Sequence, residues 1–304
     1  MTFDEFTTRF ATEEQSRDYL YELRWPDGFE CPKCGVVGKA WPIGNELFKC
    51  AICKHKTSVI AGTIFQDTRK PLKTWFTAIW WVTTQKNGAS AKGLQRILGL
   101  KSYTTAWTWL HKIRKAMVNP NRTKLSGMVE VDECYIGGEE HDGKRGRGTE
   151  NKILVVIAIE LLEGKNQLGR VRMKVVPNMS KESLQGFIKE NVELGSTIIT
   201  DGWSSYASIG KSGYSHVVPK KFEAADLDNI LPHVHMIISL LKRWLLGTHQ
   251  GAVQEMHLQA YLDEYVFRFN RRKSAERGLL FYRLLECAMH IPHTTQDELL
   301  GHKN

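Results

Sequence analysis

Apolar positions along this chain follow two different periods, and the change between them divides it. From Pro71 to Met117 the spacing is helical: Leu72, Trp75, Phe76, Ile79, Trp80 and Val82 recur at turns of about 3.6 residues, and Lys86-Asn87-Gly88 breaks the run. Ser90 sits at a helix N-cap ahead of Ala91, Leu94, Ile97 and Leu98, with Gly99 as the stop. Ser102 to Thr105 open a further helix carrying Ala106, Trp107, Leu110, Ile113 and Met117. A short helix, a turn of about four residues and a longer helix outline a helix-turn-helix.

Near Val129 the period becomes two. Met128 to Asp132 alternates, Cys134-Tyr135-Ile136 follows, and Gly137-Gly138 ends the strand. Glu139 to Thr149 reads as an exposed hairpin-like loop. Ile153 to Leu162 is a nearly continuous apolar run, as a central strand requires, and Arg170 to Val176 alternates until Pro177. Ser180 caps a helix through about Glu193; Thr197 to Thr200 and His216 to Val218 are short strands. Helical patterns at about Leu227–Leu246 and Val253–Arg271 close this stretch. The order predicts an α/β fold, a ribonuclease H-like mixed sheet with flanking helices.

Composition narrows the partner. The 304 residues carry 42 Lys+Arg against 33 Asp+Glu, a formal +9. No acidic residue lies between Asp67 and Glu130, while that stretch holds Arg69, Lys70, Lys73, Lys86, Lys92, Arg96, Lys101, Lys112, Arg114, Lys115, Arg122 and Lys124. A solvated helical face mixes signs, because like charges repel; a single-sign region points to a polyanion. No apolar run reaches the roughly 18 residues of a membrane span, and the acidic, polar start is unlike a signal peptide, so a cytoplasmic protein is expected.

Six cysteines are too few for a disulfide framework. Four of them form Cys31-Pro32-Lys33-Cys34 and Cys50-Ala51-Ile52-Cys53, the spacing of a zinc ribbon. Four thiolates leave no open position, so Cys31, Cys34, Cys50 and Cys53 are expected to bind a structural Zn²⁺. Phe48 and Trp41 are the candidates for the ribbon's small core. Three regions are expected: 1–65, an N-terminal segment with the ribbon; 66–125, basic and helical; and 126–304, the α/β domain.

Two aspartates stand at expected strand ends, Asp132 and Asp201, each followed closely by glycine. In α/β sheets such ends collect sites. Two carboxylates held together need a cation, and divalent ions so held drive in-line phosphoryl transfer. Glu133 should face the other side of the strand, Cys134 and Cys287 read as apolar filling, and the Arg268, Asn270, Arg271, Arg272 cluster reads equally as phosphate contacts or packing.

The stretches Val131 to Gly138, Thr200-Asp201-Gly202 with Tyr206, Leu240 to Arg243, Gly247-Thr248-His249 and Phe267 to Arg272 resemble a family of bacterial insertion-sequence transposases. That family joins a zinc ribbon to a DDE-type, ribonuclease H-like domain. The resemblance implies cutting and rejoining of double-stranded DNA, transposon ends and target, with Mg²⁺ or Mn²⁺ and as a homo-oligomer on DNA. It also implies that Asp132 and Asp201 are the first two catalytic carboxylates. The third differs: the family's Glu lies seven residues before a Lys, and counting back from Lys242 reaches His235. Seven residues are close to two helical turns, so His235 and Lys242 can address one site. Imidazole is a poorer partner for Mg²⁺ than a carboxylate. Glu264 is therefore the reserve acid, and a DNA-binding protein that has lost catalysis is the alternative reading.

Overall fold

The computed structural model describes residues 1–44, 46–137, 152–162, 167–219, 230–249, 253–274 and 278–301. The expected loop over 139–149 and the start of the helix expected from Leu227 lie outside them. The chain divides into two compact units, Met1–Asn119 with Ser274–Asn304, and Pro120–Lys273. Among the described residues no helix is long and apolar enough to cross a membrane.

The first unit opens with two helices, α1 (Phe3–Arg9) and α2 (Glu13–Arg24), each started by a capping box: Thr2 with Glu5, and Thr12 with Gln15. Strands β1 (Ala40–Ile43), β2 (Leu47–Cys50) and β3 (Lys56–Ser58) follow as an antiparallel sheet in that order. Phe48 packs against Tyr21, Trp25 and Phe29 behind this sheet. Trp41 does not join that core and is 53% exposed. Alternation along β1 sets Trp41 on the face opposite Phe48.

Three helices then form as the apolar spacing predicts: α3 (Leu72–Thr84), α4 (Ala91–Ile97) and α5 (Tyr103–Ala116). The Ser90 hydroxyl caps α4 by accepting the Gly93 N–H at 3.0 Å. Trp75 stacks on Trp109 with centroids 3.8 Å apart, tying α3 to α5.

The second unit holds β4 (Met128–Ile136), β5 (Ile153–Leu162), β6 (Gln167–Val175), α6 (Lys181–Asn191), β7 (Thr197–Ile199), β8 (Ser215–Val217), α7 (Pro232–His249) and α8 (Glu255–Asn270). The sheet order is β6-β5-β4-β7-β8, with β4, β5 and β6 antiparallel and β4, β7 and β8 parallel. This is the ribonuclease H-like mixed sheet. Val155, Ile157 and Ile159 pack toward α7 and α8; Leu154, Val156 and Ala158 pack toward α6. Both faces of β5 are covered, which is why its sequence is apolar throughout.

The chain closes with α9 (Gly278–His290) and α10 (Gln296–Leu300), which belong to the first unit rather than to the α/β region expected to run to 304. Phe281 lies against Phe6, Phe10 and Phe76, so aromatic burial draws the C-terminus there.

Candidate active site

Strand β4 sends alternate side chains to opposite layers. Val129 and Val131 face α6, while Cys134 and Ile136 face α7 and α8, the side to which Glu130 and Asp132 also turn. The last parallel pair between β4 and β7 is Glu130 with Ile199. Asp132 and Asp201 each stand two residues beyond that last pair, on neighbouring strands and past the point where the pairing ends. Asp132 is not at the end of its strand, as the sequence suggested, but in its middle. β4 continues to Ile136 because antiparallel β5 accompanies it, whereas β7 stops at Ile199.

Asp201 belongs to a tight turn. Its Oδ1 accepts the Trp203 N–H at 2.9 Å, and Gly202 takes a left-handed φ of 85°. Thr200 Oγ1 accepts the Gly202 N–H at 3.2 Å and lies 2.9 Å from His216 Nε2 on β8. Burial holds the Asp132 carboxyl above its ordinary range; Asp201 pushes the same way and His235 opposes it.

His235 does come to the site: its Nε2 lies 3.0 Å from Asp132 Oδ2. The sequence reading missed what holds it there. Glu130, 3% exposed, accepts the Val234 N–H at 2.8 Å and pairs with His233 Nδ1 at 2.6 Å. A buried carboxylate thus caps the first turn of α7, where unpaired amides and the helix dipole favour negative charge. Lys242, two turns on, is exposed, and its charge opposes the upward shift that burial imposes on the Cys134 thiol, which stands at about 12. Cys134 itself is buried filling, as expected.

Glu133 takes the opposite face, as alternation predicts, and accepts the Tyr206 hydroxyl at 2.7 Å. Burial raises its carboxyl to about 7, the Tyr206 hydrogen bond opposes this, and Asp132 and Asp201 reinforce it. Tyr206 is fully buried, so it is a support beneath the site. Glu264 is also fully buried, with Oε1 accepting from Arg268 at 2.7 and 2.9 Å. The Arg268 to Arg272 cluster resolves toward packing: Asn270 bonds both backbone groups of Val171, and Arg272 donates to Leu168 and Gly169 carbonyls.

Among the described residues, the group whose ligand atoms all lie within 4.8 Å of one another is Cys31, Cys34, Cys50 and Cys53. Asp132, Asp201 and His235 are not drawn together to that degree. Cys31 and Cys53 sulfurs are 3.5 Å apart, and those of Cys34 and Cys50 3.7 Å. A tetrahedron with Zn–S near 2.3 Å has edges of about 3.8 Å, so the four thiols fit zinc and are far too separated for disulfides.

The twelve cations of the basic region do not share one role. Arg114 is 2% exposed and donates to the Ala89 carbonyl; Lys115 donates to Thr294, Lys73 to the Ala11 carbonyl and Lys124 to the Lys189 carbonyl. Lys112 is half-buried. Arg69, Lys70, Lys86, Lys92, Arg96 and Lys101 are exposed, as are Ser102, Tyr103 and Thr104 at the N-terminal end of α5.

Comparison with known proteins places these features together. Residues 124–270 match the ISXO2-like transposase domain, and residues 11–56 match the transposase zinc-ribbon domain. An uncharacterized protein in transposable element ISH50 of Halobacterium salinarum is 25% identical over 287 residues, covering 85% of this chain and 91% of that protein. Among solved structures, a chain of the simian T-cell lymphotropic virus intasome in complex with PP2A regulatory subunit B56 gamma aligns at a TM-score of 0.33 and 14% identity. It covers 64% of this chain and 71% of its own, a likeness that carries no weight here. The two domain matches, in this order, give the chain the layout of the insertion-sequence transposases that couple a zinc ribbon to a DDE-type, ribonuclease H-like domain.

Proposed function

We propose that this transposase family member cleaves DNA at transposon ends and joins it to a target, using Asp132, Asp201 and His235 around a divalent ion. The observation that supports the reading is that Asp132 on β4 feels the charge of Asp201, just past the end of neighbouring β7, with His235 Nε2 3.0 Å from Asp132. Two neighbouring carboxylates, one of them partly buried, repel, and a cation relieves that repulsion. The donor set is mostly oxygen, which suits Mg²⁺ or Mn²⁺. Asp132, Asp201 and His235 would hold such an ion, which would supply activation of a water or 3′-hydroxyl and stabilisation of the leaving oxygen.

The chain's own residues do the positioning. Asp132 is fixed by the sheet, Asp201 by its turn, and His235 by the Glu130 cap on α7. Lys242, on the same helix, supplies a positive charge for a phosphate near the site. The exposed cations of the helix-turn-helix region and the N-terminal end of α5 form the duplex-binding surface, in keeping with how such helices enter the major groove. The protein would act as a homo-oligomer on DNA, since two transposon ends must be brought to one target.

The test is incubation with linear transposon-end DNA, a target plasmid and Mg²⁺ or Mn²⁺. Joined products support transposition, and nicks without joining indicate a nuclease. Asp132→Asn and Asp201→Asn should each abolish products while leaving end binding intact. A footprint with no products under any metal would leave a DNA-binding protein and overturn the catalytic reading.

A further inference from the structure

The outer face of the zinc-ribbon sheet carries chemistry that ribbon folding does not require. Register pairs Trp41 with Lys49, Lys49 with Lys56, and Ile43 with Leu47, so these side chains share one face, opposite Phe48 and Cys50. The strand positions on that face hold an exposed indole and lysines but no carboxylate. A large aromatic left in solvent on a small domain invites a stacking partner.

An independent observation comes from the two cysteine knuckles, which are near copies of each other. The Gly35 N–H donates to the Cys31 carbonyl at 2.8 Å, and the Lys54 N–H donates to the Cys50 carbonyl at 3.1 Å. Both residues are left-handed, with φ of 69° and 62°. Glycine adopts that conformation freely, whereas a side chain there is strained. The first knuckle uses the easy residue and the second does not. Lys54 places its Nζ 4.6 Å from the centroid of the Trp41 ring, tethered to the Ala51 carbonyl at 2.7 Å. The left-handed backbone at Lys54 is a local cost that the first knuckle avoids, and it comes with the ammonium set beside the indole.

We infer that this face binds unpaired nucleic-acid strands, with Trp41 stacking on a base and Lys54, Lys49 and Lys56 meeting the adjoining phosphates. An indole on a flat sheet cannot enter a duplex groove, where base faces are already stacked, but it matches the aromatic platforms that hold single strands. A second copy of the chain is disfavoured, because it would set like lysines against each other. The inference goes beyond the strand-cleaving reading and needs no metal at Asp132.

The test uses the zinc-loaded full-length protein and a fluorescein-labelled oligodeoxythymidine of about 12 nucleotides, followed by anisotropy, with a duplex of equal length beside it. Trp41→Ala should weaken oligothymidine binding about ten-fold, and Trp41→Phe should restore most of it. Lys54→Gly should weaken it several-fold while thermal stability holds or rises, which separates recognition from folding. Duplex affinity of the same variants should move less than about two-fold. Unchanged oligothymidine binding in both Trp41→Ala and Lys54→Gly would overturn the inference. So would an equal loss on duplex, or a concentration-dependent dimer that Trp41→Ala dissolves. A protein that cleaves nothing yet shows the expected pattern would keep this inference and lose only the catalytic one.

Discussion

Glu130 and Val234 lie 104 residues apart in sequence and are joined by a 2.8 Å hydrogen bond from the helix amide to the strand carboxylate. Each sits beside a candidate ligand, Asp132 two residues on and His235 the next residue. One buried bond therefore fixes the spacing between the strand and helix halves of the site. Glu130→Ala should cost about 2–4 kcal/mol in urea unfolding, since it leaves the Val234 amide and His233 without their partner. DNA cleavage should fall further than stability alone explains.

His235 tests the unusual third position. His235→Ala should reduce cleavage, and His235→Glu should preserve it or raise it with Mg²⁺, an ion that prefers carboxylate oxygen. Product yield on transposon-end DNA is the readout. Full activity in His235→Ala would remove the residue from the mechanism. Glu264 could replace it only after breaking its pair with Arg268.

Salt dependence should separate the exposed cations from the structural ones. Neutralising Lys92, Arg96 and Lys101 together should flatten the slope of log affinity against log salt by up to about 3, with little change in melting temperature. Arg114→Gln should instead lower stability, because its guanidinium is buried against the Ala89 carbonyl. An unchanged slope in the triple variant would move the phosphate contacts elsewhere.

Asp263 gives the second unit a pH dependence. Burial raises its carboxyl from 3.8 to about 6, against the hydrogen bond from Gln259. The folded form holds its proton longer than the unfolded chain does. Its stabilising contribution is therefore complete below about 3.8 and is lost as pH rises through about 6. Asp263→Asn should raise stability at neutral pH by up to about 3 kcal/mol and flatten that window. Denaturant midpoints across the range would show it.

Zinc should be stoichiometric and structural. Elemental analysis should find about one zinc per chain, lost in Cys50→Ser together with the ribbon's fold. A metal-free protein with an intact N-terminal region would contradict this.

Local signals were the ones legible in the sequence. Ser90 and Ser180 cap helices where the spacing placed them, the two Cys pairs close on one point, and β5 begins and ends as its apolar run does. What needed pairing information was hidden. That β4 and β7 are neighbours, which brings Asp132 and Asp201 to one end of the sheet, depends on strand pairing, and Glu130 reads as one more polar residue in an alternating strand. Arg114 and Lys115 lie on the helix that the basic run defines, yet Arg114 is buried against the Ala89 carbonyl and Lys115 is tied to Thr294. Trp41 was misassigned because alternation in a four-residue strand does not say which face is covered. The capping boxes of α1 and α2 are plain in sequence, but their apolar periodicity is too brief to stand out.

The amide side chains of α8 have a consequence for assembly. Along the outer edge of β6, Asn270 takes the N–H and carbonyl of Val171, and Gln259 takes the carbonyl of Met173 and the N–H of Val175. Every second residue of that edge is thus already spoken for by the molecule's own helix. A margin closed in this way resists the addition of a foreign strand on that side. The α/β unit thus carries its own guard against polymerising through that margin, built from two amide side chains of one helix.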